Sequence, residues 1–142
     1  MAPILDVRNL QTHFFTKGGV LKAVDGVSFE IGAGEIVGLV GESGSGKSIT
    51  GFSILGLVDE PGRIVGGEIL FKGKDLKTLP VAEMQKMRGS SIAMIFQDPM
   101  MTLNPVLRIE TQMIEAIQTH DSSVSKDEAR QRSRDALGLV GI

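Results

Sequence analysis

The sequence predicts an α/β fold with an antiparallel sheet in front and helices behind, and three observations carry that expectation. Two segments rich in β-branched and apolar residues, Ile4 to Leu10 and Leu21 to Ile31, flank a turn at Lys17-Gly18-Gly19. Ile36-Val37-Gly38-Leu39-Val40 is apolar without alternation, as a strand buried on both faces requires. A glycine-rich stretch and then a helical pattern follow directly, giving the strand, loop, helix order of an α/β core.

The first two segments read as the edge of an antiparallel sheet, closed by a second turn at Gly32-Ala33-Gly34-Glu35. After the central strand, Gly41 to Gly46 form a loop, and Ile49, Phe52, Leu55 and Leu57 recur at near-helical spacing over Ser48 to Leu57. Gly66 to Gly73 resembles a further strand. Pro80 to Arg88 is a short helix begun by proline, and Ser91 to Phe96 a short apolar strand. Beyond it, Val106, Ile109, Met113 and Ile117 fall on one helical face, and Ser125-Lys126-Asp127-Glu128 fits a capping box that opens a last helix.

Composition narrows the class. The chain of 142 residues suits one compact domain, and 42% hydrophobic with 23% charged residues is ordinary globular usage. The 15 basic and 17 acidic residues are scattered, so no basic stripe exists to neutralise a nucleic-acid backbone. With no cysteine, disulfides and thiolate metal sites are excluded. Met1 to Asp6 lacks the pattern of a secretion signal, and Ile36 to Val40 is far shorter than the roughly 20 residues a membrane span needs. Membrane association is therefore expected through a partner.

The chemistry concentrates in Gly41-Glu42-Ser43-Gly44-Ser45-Gly46-Lys47-Ser48, which satisfies G-x-x-x-x-G-K-S/T in full, between a buried strand and a helix. Glycines let the backbone turn its N–H groups inward at phosphate oxygens, and the helix N-terminus adds roughly half a positive charge. The expected nucleotide-binding set is thus Gly41, Glu42, Ser43, Gly44, Ser45, Gly46, Lys47, Ser48 and Ile49. Lys47 supplies a full charge to the β- and γ-phosphates of ATP. Ser48 offers a hydroxyl to Mg²⁺, which takes a few protein oxygens plus phosphate. Glu42 is expected to face away, since its charge repels phosphate. A chance match to this pattern in such a chain is on the order of one or two in a hundred.

A phosphate loop alone does not choose among its many hosts. The segment Ser91 to Phe96, followed by Gln97-Asp98-Pro99-Met100-Met101-Thr102-Leu103-Asn104-Pro105, resembles the Q-loop region of ABC transporter ATPases, above all the oligopeptide and dipeptide importer branch. Met101 and Thr102 stand where that branch usually has Thr and Ser. The resemblance extends through Ala23 to Phe29, Gly62 to Ile69 and Asp135 to Val140, and so covers essentially the whole chain. It implies a P-loop NTPase of ABC ATPase type: an antiparallel β region at 1–35 and 64–76, the P-loop strand and helix at 36–58, the Q-loop strand at 91–97, and the start of a helical subdomain at 104–142. It also implies that Gln97 acts catalytically with Lys47, sensing the γ-phosphate through Mg²⁺ and the attacking water. The family stacks adenine on an N-terminal aromatic. With Phe29, Phe52, Phe71 and Phe96 in core-like patterns, Phe14 and Phe15 remain, and Phe14 is the expected platform.

By the same resemblance the partners are transmembrane permease subunits, a second ATP-binding subunit and, indirectly, an extracytoplasmic solute-binding protein, at the cytoplasmic face of the membrane. The family's signature, Asp-Glu strand end and switch histidine are not found, so the sequence reads as an N-terminal part. Leu55 to Pro61 mimics the Asp-Glu strand end, but it lies on the helix leaving the phosphate loop, which puts Asp59 and Glu60 in a solvated turn. His13 and His120 are expected at the surface. Two alternatives stand beside a transport ATPase: a nucleotide-binding module without turnover, and a DNA-repair or chromosome-type ATPase, which the scattered charge and the Met100 to Pro105 run disfavour.

Overall fold

The computed structural model describes residues 2–98 and 102–142, and the chain divides after Arg88 into two compact units. Positions 99–101 of the Q-loop run lie outside the described residues.

In the first unit, β1 (Leu5–Thr16) and β2 (Gly19–Ile31) form a long hairpin, and β3 (Gly62–Phe71) and the short β4 (Lys74–Asp75) complete an antiparallel sheet of order β2-β1-β3-β4. Helix α1 (Lys47–Ile54) packs on the hairpin, and α2 (Val81–Met87) follows β4 and a 3₁₀ turn at Leu76–Thr78. The inward face of β1 carries Leu5 and Val7, then Leu10 and Thr12. That change of phase has a local cause. Asn9 adopts φ 46° at a bulge, and one extra residue moves the buried set from odd to even positions. Gly67 sits against this bulge at φ 82°, where a Cβ would come within 2.3 Å of the Asn9 carbonyl oxygen. Without the bulge, Thr12 and Phe14 would point away from α1.

The core of this unit includes Val7, Leu10, Val24, Ile69, Phe71, Leu76 and Met84. Of the apolar face that sequence spacing indicates for α1, Leu55 at its C-cap is buried and Ile49, Phe52 and Leu57 are half-buried. Thr50 and Ser53 are buried, because the side turned to the hairpin is the small stripe Gly46, Thr50, Ser53. Large side chains would hold the helix off the strands.

Two expected strands are not formed. Ile36 to Val40 is irregular and exposed, with Ile36 99% and Val40 91% accessible, and residues 93–96 likewise carry no strand. A parallel strand exists only where neighbours accept its backbone groups and cover both faces, and among the described residues none does so here. Phe96 is accordingly exposed, not core. His13 corrects the surface assignment in the other direction. It lies mid-strand between Lys22 and Arg63 with its side chain 13% accessible, and its Nε2 is buried 3.7 Å from Asp25 Oδ1 without a hydrogen bond.

The second unit is a helical hairpin, α3 (Ile109–His120) and α4 (Lys126–Leu139), around Ile114, Val124 and Ala129, with Ile117 packed against them. Val106 precedes the helix and is exposed, as is Ile109, so of the expected row Val106, Ile109, Met113 and Ile117 it is Ile117 that packs against the core, beside Ile114. Half of the capping box is made: Ser125 Oγ accepts from the Glu128 amide, but the Glu128 carboxylate turns to Arg132 at 2.6 Å. Gln112 fastens the preceding loop, accepting from the Asn104 amide at 2.8 Å and donating to the Asn104 and Leu107 carbonyls. Arg130 bonds Glu110 across the hairpin and holds its carboxyl below the ordinary carboxylate range.

Ile69 has no accessible surface, so Ile69→Ala is expected to cost about 2–5 kcal/mol in urea denaturation of the first unit. Because the Glu110 pKa is depressed on folding, its contribution is present above the unfolded carboxylate pKa and is lost as pH falls through the folded value. Glu110→Gln should therefore flatten the acid dependence of helix melting at low salt, by a small amount for so exposed a pair.

Candidate functional site

The loop from Gly41 to Gly46 leads into α1 with Gly44 at φ 81° and Gly46, the N-cap, at φ 92°. Both are left-handed conformations that favour glycine. At Gly46 space decides as well, since a Cβ would lie 2.2 Å from the Ala23 carbonyl oxygen on β2. The first turn of α1 has no side-chain cap and no acidic residue. Its N–H groups, which lack intrahelical acceptors by geometry, are therefore free to meet an anion.

Lys47 folds back into the loop. Its ammonium donates to the Gly41 carbonyl at 2.8 Å and the Glu42 carbonyl at 2.6 Å, and reaches Ser45 Oγ at 3.4 Å. A full positive charge thus sits inside the ring of backbone, held by it. Gly41, Glu42, Ser43 and Ser45 are solvent-exposed, and the Ser45 amide donates to the Glu42 carbonyl at 3.2 Å. Ser48 is exposed on the first helical turn and Ile49 half-buried.

Beside the loop lies an open cavity of about 330 Å³. Gly44, Gly46, Lys47, Ser48 and Ile49 form one side and Phe14, Leu21 and Ala23 the other. Phe14 is half-buried and backed by β3, where a Cβ on Gly62 would meet the ring at 2.6 Å. Phe15 points elsewhere, with the Arg63 guanidinium 4.0 Å from its ring centroid. The structure therefore brings Phe14 together with the loop from Gly44 to Ile49. Gln97 is an exposed residue in a bend of the second unit. Asp59 and Glu60 are exposed in the connection to β3, where the Gly62 amide donates to the Asp59 carbonyl at 2.8 Å.

Leu21 and Ala23 were not expected at the site. The signal was the two-residue turn at Lys17 and Gly18: counting outward from it sets Phe14 opposite Leu21, the pairing observed.

With this geometry in place, the model of the ABC transporter family matches residues 24–142. The chain belongs to the ABC transporter family. It is 49% identical over 143 residues to the oligopeptide transport ATP-binding protein AppD of Bacillus subtilis, covering 100% of this chain and 43% of that protein. It is 43% identical over 139 residues to the dipeptide transport ATP-binding protein DppD of Escherichia coli, covering 98% and 42%. The chain thus spans less than half the length of these relatives. Among solved structures, the dimeric bacterial ABC transporter cassette MJ0796 matches with a TM-score of 0.78 at 22% identity, over 95% of this chain and 56% of that one. That likeness supports the P-loop ATPase fold; the ATP-binding and peptide-transport names belong to the relatives.

Gly46→Ala is expected to cost at least about 1–2 kcal/mol in denaturation midpoint from the left-handed backbone alone, with the Ala23 contact adding to it. The same substitution at the neighbouring Ser45 position should be near neutral.

Proposed function

We propose that this chain forms the nucleotide-binding part of a subunit that couples ATP binding and hydrolysis to import of peptides or a similar small solute. The observation that carries the reading is the cavity in which an aromatic ring, Phe14, faces a lysine-filled phosphate loop. A nucleotide there would set its base on Phe14 and its phosphates around Lys47. The peptide assignment is supported by the names of relatives at 43–49% identity.

In this reading the phosphates replace the Gly41 and Glu42 carbonyls as partners of the Lys47 ammonium, a charge-assisted exchange. The backbone N–H groups of Gly44 to Ile49 and the α1 dipole hold the remaining oxygens. Magnesium, when bound, neutralises charge between the β- and γ-phosphates. The exposed Ser48 hydroxyl beside Lys47 fits such an ion as a single hard oxygen donor, and Gln97 is proposed as a second. Gln97 would then orient the attacking water.

The cavity's own residues offer an ammonium, a hydroxyl and apolar groups, without a carboxylate among them. The 142 residues alone are therefore proposed to bind nucleotide without turning it over, since phosphoryl transfer needs a positioned water and further charge stabilisation. In the whole protein a second ATP-binding subunit, permease subunits and, indirectly, a solute-binding protein are the proposed partners. The placement proposed for this subunit itself is peripheral, at the cytoplasmic face; no helix among its described residues is long and apolar enough to cross a membrane.

Calorimetric titration tests the reading. Lys47→Ala should weaken MgATP binding about 10- to 100-fold, the worth of a charged hydrogen-bond donor. Unchanged affinity would overturn the role given to this loop. The whole protein carrying the same substitution should lose peptide uptake.

A further inference from the structure

The core of the first unit contains a polar pair that packing alone does not require. Thr12 and Ser53 are 0% and 2% accessible, among the most buried side chains of the molecule, and their hydroxyl oxygens lie 2.8 Å apart. Two aliphatic side chains could fill such a space without the desolvation cost of two hydroxyls. The direction of the bond follows from proton counting. Ser53 spends its single proton on the Ile49 carbonyl at 2.7 Å, so the proton between the hydroxyls is Thr12's, and Ser53 accepts it.

The location of the pair gives it a consequence. Thr12 is two residues before Phe14 on the same face of β1, so a displacement of one carries the other. Ser53 is on the helix that begins at Lys47, on the stripe shared with Gly46 and Thr50. The bond therefore ties the strand that carries the ring directly to the helix that carries the phosphate loop. Apolar contacts resist separation but allow sliding, whereas a short buried hydrogen bond is directional and fixes register along the strand.

We propose that the Thr12–Ser53 hydroxyl pair is a positioning device that sets the span between the base-binding ring and the phosphate loop. The inference rests on the nucleotide-binding reading of the cavity and adds positioning residues to it. Neither residue touches the ligand. Thr12 and Ser53 matter only for a ligand that engages both ends of the cavity, and this separates positioning from general stability.

The test compares two probes, MgATP and magnesium tripolyphosphate, on the 142-residue chain. Thr12→Val keeps shape and removes the donor. It is expected to weaken MgATP about fivefold, the worth of one neutral hydrogen bond, while leaving tripolyphosphate affinity unchanged. Thr12→Ser, which restores the hydroxyl, should recover the wild-type ratio of the two affinities. If Thr12→Val does not fold, Ser53→Ala removes the acceptor in a helix that favours alanine and should show the same ratio change. Equal loss for both probes, or no loss for either, overturns the proposal. Failure of the unmodified chain to bind either probe would instead overturn the nucleotide reading itself.

Discussion

The approach of α1 to the β1–β2 hairpin leaves no room for a side chain at Gly46, and much of the first unit follows from that contact. A helix whose first residues touch a strand backbone must turn a small face toward it, and Gly46, Thr50 and Ser53 supply one. The same approach carries the helix N-terminus, with its unpaired N–H groups and partial positive charge, to within one cavity's width of the hairpin. Lys47 then has backbone carbonyls to fold onto and is held where an anion would be drawn in. The left-handed conformations of Gly44 and Gly46 follow from turning the chain inside so small a radius.

The strands contribute phase. A regular β1 could not bury both Val7 and Thr12 on one face. The bulge at Asn9, accommodated by Gly67 on β3, changes the phase between them and brings Phe14 to the side of the loop. Gly62 then backs the ring closely enough to limit its freedom, while Phe15, on the opposite face, is engaged by Arg63. A bulge at Asn9, far from the phosphate loop in sequence, thus helps determine what the loop faces.

The phosphate loop was legible from sequence because its spacing is dictated by backbone geometry and charge, which are local. The β1–β2 hairpin was legible too, since alternating apolar residues around a glycine turn have few other solutions, though both strands extend further than their apolar segments indicate. The central strand at Ile36 to Val40 was legible only as a tendency: apolar residues favour burial, but strand formation waits on neighbours that other segments must provide. The buried face of α1 was legible only in Leu55, because periodicity weights large apolar groups and along the rest of the helix proximity favours small ones. His13 was missed for a related reason, since a histidine on a strand is buried or exposed according to what crosses it. On α3, Ile114 outranks Met113 because α4 packs on that side, a choice its own spacing does not contain.

The account's central claim is that one ligand spans Phe14 and the loop at Gly44 to Ser48. The most direct measurement is the change in amide and aromatic resonances of the isotopically labelled chain as MgATP is added. The account predicts that the amides of Gly44, Gly46, Lys47 and Ser48 and the ring of Phe14 shift together on a single saturating curve, with Phe15 unaffected. Shifts confined to the loop, or to residues away from this cavity, would contradict it.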